Sequence, residues 1–208
     1  MEYRTVGLRC AVDLRSLTLP ITDHEALGVL TARGFRVIDV DLVALARACV
    51  QSSRYRRGAH PSEAPDIVVC SSFTKWLYGQ RGIWLPRRSI QQRAFGSHVP
   101  ADAIAVGDLV FTSGYIDYFD HDPSDGVGHV GIATDTHTVI HAANRTAGVI
   151  ETPLAAFIAQ SFRGARRYIP RDRTVVTLET PEHRSVETSD DLRWIILQTR
   201  PKRSHVFP

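Results

Sequence analysis

The chain has 208 residues, 43% of them hydrophobic, and a formal net charge of +3. That length suits one domain with an appendage, large enough to bury a core without cross-links. The mild charge, carried almost wholly by arginine because Lys75 and Lys202 are the only lysines, points to no nucleic-acid partner. Three cysteines, Cys10, Cys49 and Cys70, are too few and odd in number for a disulfide framework. No Cys-x-x-Cys occurs, so no structural zinc is expected, and no cofactor is called for. Met1 to Val6 carries no apolar leader, and no stretch approaches the ~18–20 apolar residues of a membrane span. No membrane partner is expected, and the expected location is the cytoplasm.

In chain order, residues 3–19 read as one or two strands ending at Pro20. Thr22-Asp23-His24-Glu25 looks like a capped helix start, and Gly34 a stop. A short strand over 35–40 leads to Asp41, which caps a helix of roughly 42–52. There Leu42, Leu45, Ala46 and Cys49 share one face, so Cys49 reads as core. Residues 53–66 are polar and read as a loop. A helix over 71–81 follows, ended by Gly82, with another helical turn or two at Ser89 to Ala94. From 104 the pattern turns to short β-branched strands: Leu109–Phe111, Val130–Ala133 and Thr138–His141. Residues 153–160 read as helix and 164–169 as a closing strand. Beyond Pro170, the segments 174–178 and 192–198 read as two strands of a hairpin, followed by a basic tail at 200–203. Helices first and an antiparallel meander after give an α+β class.

Cys70 falls where loop gives way to helix. First-turn N–H groups and the helix dipole favour negative charge there, and a histidine partner adds to this. The expectation is a thiol pKa lowered into the range of roughly 3.5–7.5. His129 opens one strand and His141 ends the next, so a hairpin between them sets both at one end. His129 is then the candidate base, and His141 the residue that orients its ring. A Cys70-His129-His141 metal site is the lesser alternative, since nothing in the spacing demands it. Thr112 to Gly128 holds Tyr115, Tyr118, Asp117, Asp120, Asp122 and Asp125. Asp120, Asp122 and Asp125 lack the full pattern of a calcium loop. A solvated acidic loop beside a cleft is expected to favour an amine-bearing substrate.

Several pieces, in order, resemble the NlpC/P60 family of papain-like cysteine peptidases over about residues 42–168. Ser53-Arg54-Tyr55-Arg56-Arg57-Gly58 is similar to its Pro-Tyr-x-Trp-Gly-Gly loop, and Cys70-Ser71-Ser72-Phe73 stands where it has Asp-Cys-Ser-Gly. Gly82-Ile83-Trp84-Leu85-Pro86-Arg87-Arg88-Ser89 with Gln92 resembles its Gly-Ile-x-Leu-Pro-Arg-x-Ser…Gln stretch. Val106 to Phe111, His129 to Ile132 and Ile140 to Ala142 complete the set. The resemblance implies N-terminal helices packed on a central antiparallel sheet. It also implies Cys70 as nucleophile, His129 as base and His141 as orienting residue, with Tyr55, Val69 and Ser71 at the substrate. The implied reaction cleaves a γ-D-glutamyl to diamino-acid amide, so the expected partner is a small peptide or amide derived from the cell wall.

Departures from the family pattern bear on the substrate. Val69 replaces an aspartate that holds a substrate amine in members that recycle cell-wall peptides. Ser72 replaces a glycine, and Arg56 and Arg57 stand where an aromatic residue and a glycine are commoner. Acyl transfer or a tailoring reaction on another amide, and a binding module without catalysis, are the alternatives. The expected division is an extension over 1–41, a catalytic domain over 42–169 and a second extension over 170–208.

Overall fold

The computed structural model describes residues 2–135, 137–159 and 161–199. In chain order they form β1 (Arg9–Asp13), α1 (Asp23–Ala32), β2 (Arg36–Ile38), α2 (Leu42–Cys49), β3 (Arg54–Tyr55), β4 (Ile67–Val68) and α3 (Cys70–Gln80). Next come α4 (Ser89–Arg93), β5 (Ser97–Val99), β6 (Leu109–Thr112), β7 (His129–Ala133), β8 (Thr138–Asn144), β9 (Gly148–Pro153), α5 (Leu154–Ile158) and β10 (Phe162–Arg167). The last two are β11 (Val175–Glu179) and α6 (Ser189–Gln198). The class is α+β. Among the described residues, no helix is long and apolar enough to cross a membrane.

Two compact units divide the chain. The smaller takes residues from both ends, up to 40 and from 172, together with 81–83. Its sheet has the order β1-β11-β2, antiparallel throughout. Thr22 and Glu25 form a reciprocal capping box at the start of α1, as their spacing predicts. Cys10, Val12, Leu30, Phe35, Leu178, Leu192 and Ile196 build the core. Gly82 holds φ +76°, and a Cβ there would sit 2.6 Å from the Ala11 nitrogen, so only glycine lets this segment lie on β1.

Residues 192–198 are helical, which corrects the strand expected there and with it the C-terminal hairpin. Thr188 caps the helix through the Asp190 N–H, and the Asp191 carboxylate accepts from the Glu187 and Thr188 N–H groups. Leu192 and Ile196, four apart, carry the buried face, while Trp194 is exposed. A short apolar run reads alike for a strand and a packed helix. β11 finds its partners in β1 and β2 instead. The tail 200–203 lies outside the described residues.

The larger unit carries a six-stranded sheet of order β5-β10-β6-β7-β8-β9. Asp41 caps α2 by accepting from the Val43 and Ala44 N–H groups at 2.9 and 3.0 Å. Helix α3 buries Phe73, Leu77 and Tyr78 and packs on β7 and β8. Val110, Ala133, Val139 and Ala165 face Phe157 of α5. With a helix on either side, all four residues of β6 are buried. At its entry Asp108, 1% exposed, accepts two hydrogen bonds from Arg167, at 2.8 and 2.6 Å, and one from the Ala105 N–H at 2.9 Å. The Gly-Asp-Leu-Val-Phe run thus ties β6 to β10. Strands β5 and β9 are too short or too mixed in pattern to stand out in the sequence.

Candidate active site

The short parallel ladder of β3 on β4 sets Tyr55 beside Val68, two residues before Cys70. Helix α3 begins at Cys70 itself, and the Ser72 hydroxyl accepts from the Val69 N–H at 2.9 Å and donates to the Val69 carbonyl at 3.2 Å. Ser72 therefore caps its own helix start from a buried position. Gln92, fully buried, clamps the same turn: its amide donates to the Ser71 and Pro86 carbonyls at 2.9 and 3.0 Å and its oxygen accepts from Thr74. Arg87 donates to the Ser71 hydroxyl and to the Ala59 carbonyl, both at 3.1 Å. The half-buried Cys70 thiol points at the Gly128 carbonyl, 3.9 Å away.

Antiparallel pairing of β7 with β8, in which Ile132 faces Ile140, brings the two histidines together. His129 Nε2 lies 2.7 Å from His141 Nδ1, and His141 Nε2 lies 3.0 Å from the Thr152 hydroxyl. Phe157 packs on both rings. Gly131 makes room for this: a Cβ there would stand 2.3 Å from Val139 and 3.0 Å from the His141 Cβ. Gly131→Ala is expected to push His141 off His129. A loss of activity larger than the loss of stability, read as kcat/KM against the urea midpoint, would show it; equal activity would contradict it.

Burial pushes His129 down to about 4, and burial with the neighbouring His129 charge pushes His141 down to about 3, from an ordinary 6.5. Burial also pushes the Cys70 thiol up, against the pull of nearby backbone N–H groups and of Arg87. This corrects the lowered thiol expected from the helix start, because loss of water outweighs the N–H dipoles. The resting groups are a neutral thiol and two neutral imidazoles. The imidazole shifts also affect stability. Below 6.5 the unfolded chain takes up protons that the folded histidines refuse, so stability falls as pH drops from 6.5 towards 4. At ~1.4 kcal/mol per pKa unit, the pair is worth on the order of a few kcal/mol across that window. Urea midpoints at pH 7 and pH 4.5 check this, and an unchanged midpoint would contradict it.

Two cavities meet at this site. One, about 360 Å³, is lined by Tyr55, Arg57, Val69, Cys70, Ser71, Arg87 and Arg88, among others. The other, about 470 Å³, is lined by Thr112, His141, Asn144, Thr152 and Phe157. His129, Gly114, Tyr115 and Ala143 line both. All six residues singled out in the sequence thus come together here. Thr152 and Phe157 carry no signal in the sequence, since β9 and α5 meet the histidines only in the fold.

The aspartates of the 112–128 segment do not line either cavity. Asp117 accepts from the Ser113 hydroxyl and the Gly114 N–H, and Asp125 pairs twice with Arg93. The cationic substrate expected from loop acidity therefore loses its basis. Among the described residues, no group of three or more His, Cys, Asp or Glu side chains is placed to hold a metal ion.

A family model described as the NlpC/P60 family matches residues 52–173. The chain belongs to the NlpC/P60 family. A gamma-D-glutamyl-L-lysine dipeptidyl-peptidase of Bacillus cereus is 35% identical over 104 residues, 49% of this chain and 29% of the relative. A Corynebacterium glutamicum protein named "Probable endopeptidase" is 33% identical over 112 residues, 52% of this chain and 48% of the relative. Both matches span less than half of the relative's length. A crystal structure of an NlpC/P60 family protein from Bacillus cereus aligns with a TM-score of 0.53 at 27% identity, covering 62% of this chain and 40% of that one. The matched span contains the cysteine, both histidines and Tyr55, so the family frame and the geometry above concern the same residues.

Proposed function

We propose that this NlpC/P60 protein is a cysteine-nucleophile amide hydrolase acting on a γ-D-glutamyl amide of peptidoglycan-derived peptides. The observation that carries the reading is the chain of contacts from His129 through His141 to Thr152, beside the Cys70 thiol. With both rings neutral, one arrangement of protons makes His129 a base. His129 Nε2–H donates to His141 Nδ1, and His141 Nε2–H donates to Thr152, leaving His129 Nδ1 free to accept. As Sγ bonds to the amide carbon, the thiol proton passes to His129. The C–N bond then breaks, and that proton leaves with the amine. Water attacks the thioester carbon with His129 as base, releasing the acid and returning the thiol. Backbone N–H groups of Cys70 and Ser71, which stand beside Sγ, support the oxyanion. The γ-D-glutamyl assignment draws on the named activity of the Bacillus cereus relative.

The test is mass spectrometry of a γ-D-glutamyl-diaminopimelate peptide incubated with the protein. Cleavage that vanishes in Cys70→Ala protein is expected. Intact peptide, or cleavage by Cys70→Ala, would overturn the reading. A base held at about 4 also sets the acid limb of kcat/KM. Activity should persist well below pH 6.5 and fall only towards pH 4, as His129 protonates. A profile from pH 3 to 8 with its acid midpoint at 6.5 would contradict that.

A further inference from the structure

We propose that the Tyr115 ring closes over the bound peptide on both sides of the amide that is cut, which makes Tyr115 a specificity residue for chains that extend through both cavities. The inference rests on the hydrolase reading for the position of that amide, beside Cys70 and His129.

Neighbouring residues set the place of Tyr115. The Cys70 thiol donates to the Gly128 carbonyl, and His129 follows in the chain, so Gly128 links nucleophile and base. Gly114 packs directly on Gly128. A Cβ on Gly114 would stand 2.7 Å from the Gly128 carbonyl carbon, and one on Gly128 would stand 2.5 Å from the Ile116 oxygen. A pair of glycines is what lets the two segments lie this close. Asp117 locks the turn, accepting from the Ser113 hydroxyl at 2.5 Å and the Gly114 N–H at 2.8 Å. Further along, Tyr118 and Val127 exchange backbone hydrogen bonds at 3.1 and 2.8 Å, and Arg163 donates to the Gly126 carbonyl at 2.9 Å. The Tyr115 backbone is thereby pinned next to the glycine that lies on the reacting pair, and Tyr115 lines both cavities.

The fold makes no use of its side chain. Tyr115 is 96% exposed, whereas the Tyr118 ring is partly covered by the Arg88 guanidinium, 5.2 Å from its centroid. A phenol ring left in water adds nothing to stability, and covering it releases that water with a gain in free energy. A peptide that fills both cavities passes the shared wall where this ring stands. The ring can then cover main-chain and Cβ atoms on either side of the cut bond, whatever charge the peptide side chains carry. Such a contact is equal in the ground state and the transition state, so it acts on KM and not on kcat.

Two ligands test this by NMR titration of Cys70→Ala protein, which reaches millimolar affinities. One is a γ-D-glutamyl-diaminopimelate peptide, which fills both cavities. The other is the matching γ-D-glutamyl methylamide, which stops at the cut bond. Tyr115→Ala is expected to weaken the peptide roughly 10-fold, the effect of uncovering about half of a ring, and the methylamide by about 3-fold or less. Tyr115→Phe should bind the peptide as the parent does, since the ring and not the hydroxyl makes the contact. Phe119→Ala, in the same loop but lining neither cavity, should change neither affinity. With Cys70 in place, Tyr115→Ala should raise KM for the peptide and leave kcat within about 2-fold. An unchanged peptide affinity, an equal loss for both ligands, an equal loss in Tyr115→Phe or Phe119→Ala, a fall in kcat at constant KM, or no peptide binding at all would overturn the proposal. Binding that depends on Tyr115 without turnover would overturn the hydrolase reading and leave this one standing.

Discussion

Replacing Cys70 with alanine is expected to cut kcat/KM by ~10⁴-fold or more while leaving the urea midpoint within about 0.5 kcal/mol of the parent. Stability should hold because the thiol gives little to the fold: it is half-buried, and its hydrogen bond to the Gly128 carbonyl is long, at 3.9 Å. The helix start around it is held by Ser72 and Gln92 instead. His129→Ala should cost a comparable factor in turnover, since a thiol raised by burial needs a base to lose its proton. It should also cost some stability, because the partly buried His141 Nδ1 loses its 2.7 Å partner. In the proposed mechanism nucleophile and base act as one unit, so the double variant should be little worse than either single one. Single-turnover kinetics on the three variants measure this. Multiplying losses, or turnover by Cys70→Ala protein, would mean that the two residues do not share a step.

Asp108→Ala is expected to lower stability by about 3–5 kcal/mol, enough to leave little folded protein in a domain of ordinary stability. The carboxylate is 1% exposed and takes hydrogen bonds from two Arg167 nitrogens and the Ala105 N–H. Removing it leaves the Arg167 guanidinium, which otherwise donates only to the Ala103 carbonyl at 3.2 Å, without its counter-charge and the Ala105 N–H without its acceptor. Arg167→Leu in the same chain should restore part of the loss, since the stranded charge then goes too. Urea unfolding of the single and double variants checks this. A loss below about 1 kcal/mol for Asp108→Ala would show that the pair is not what ties these strands together.

Local signals carried far in this chain. The capping box of Thr22 with Glu25, the Asp41 cap and the face shared by Leu42, Ala46 and Cys49 each depend on residues within a turn or two of one another. Their elements stand where the sequence reads them. The β-branched runs of β6, β7 and β8 were legible for the same reason. Residues 192–198 were not, because a short apolar run does not distinguish strand from helix. Only the buried faces of Leu192 and Ile196 decide it. The two-residue ladder of β3 on β4, which places Tyr55, is too short to leave any periodicity at all.

The sequence by itself determined the parts of the site: a cysteine at a helix start, two histidines on neighbouring strands, and ordered motifs specific enough to name the family. Tertiary structure decided their state and surroundings. Burial, which no local pattern reports, turns the thiol upward and both imidazoles downward, so the groups rest neutral. Strand pairing adds Thr152 to the histidine chain. The cleft's charge was decided in the same way. Asp117 and Asp122 are bonded within their loop and Asp125 to Arg93, while arginines from two separate segments converge on the cavity. Electrostatics depend on distance and solvent in three dimensions, and sequence proximity measures neither.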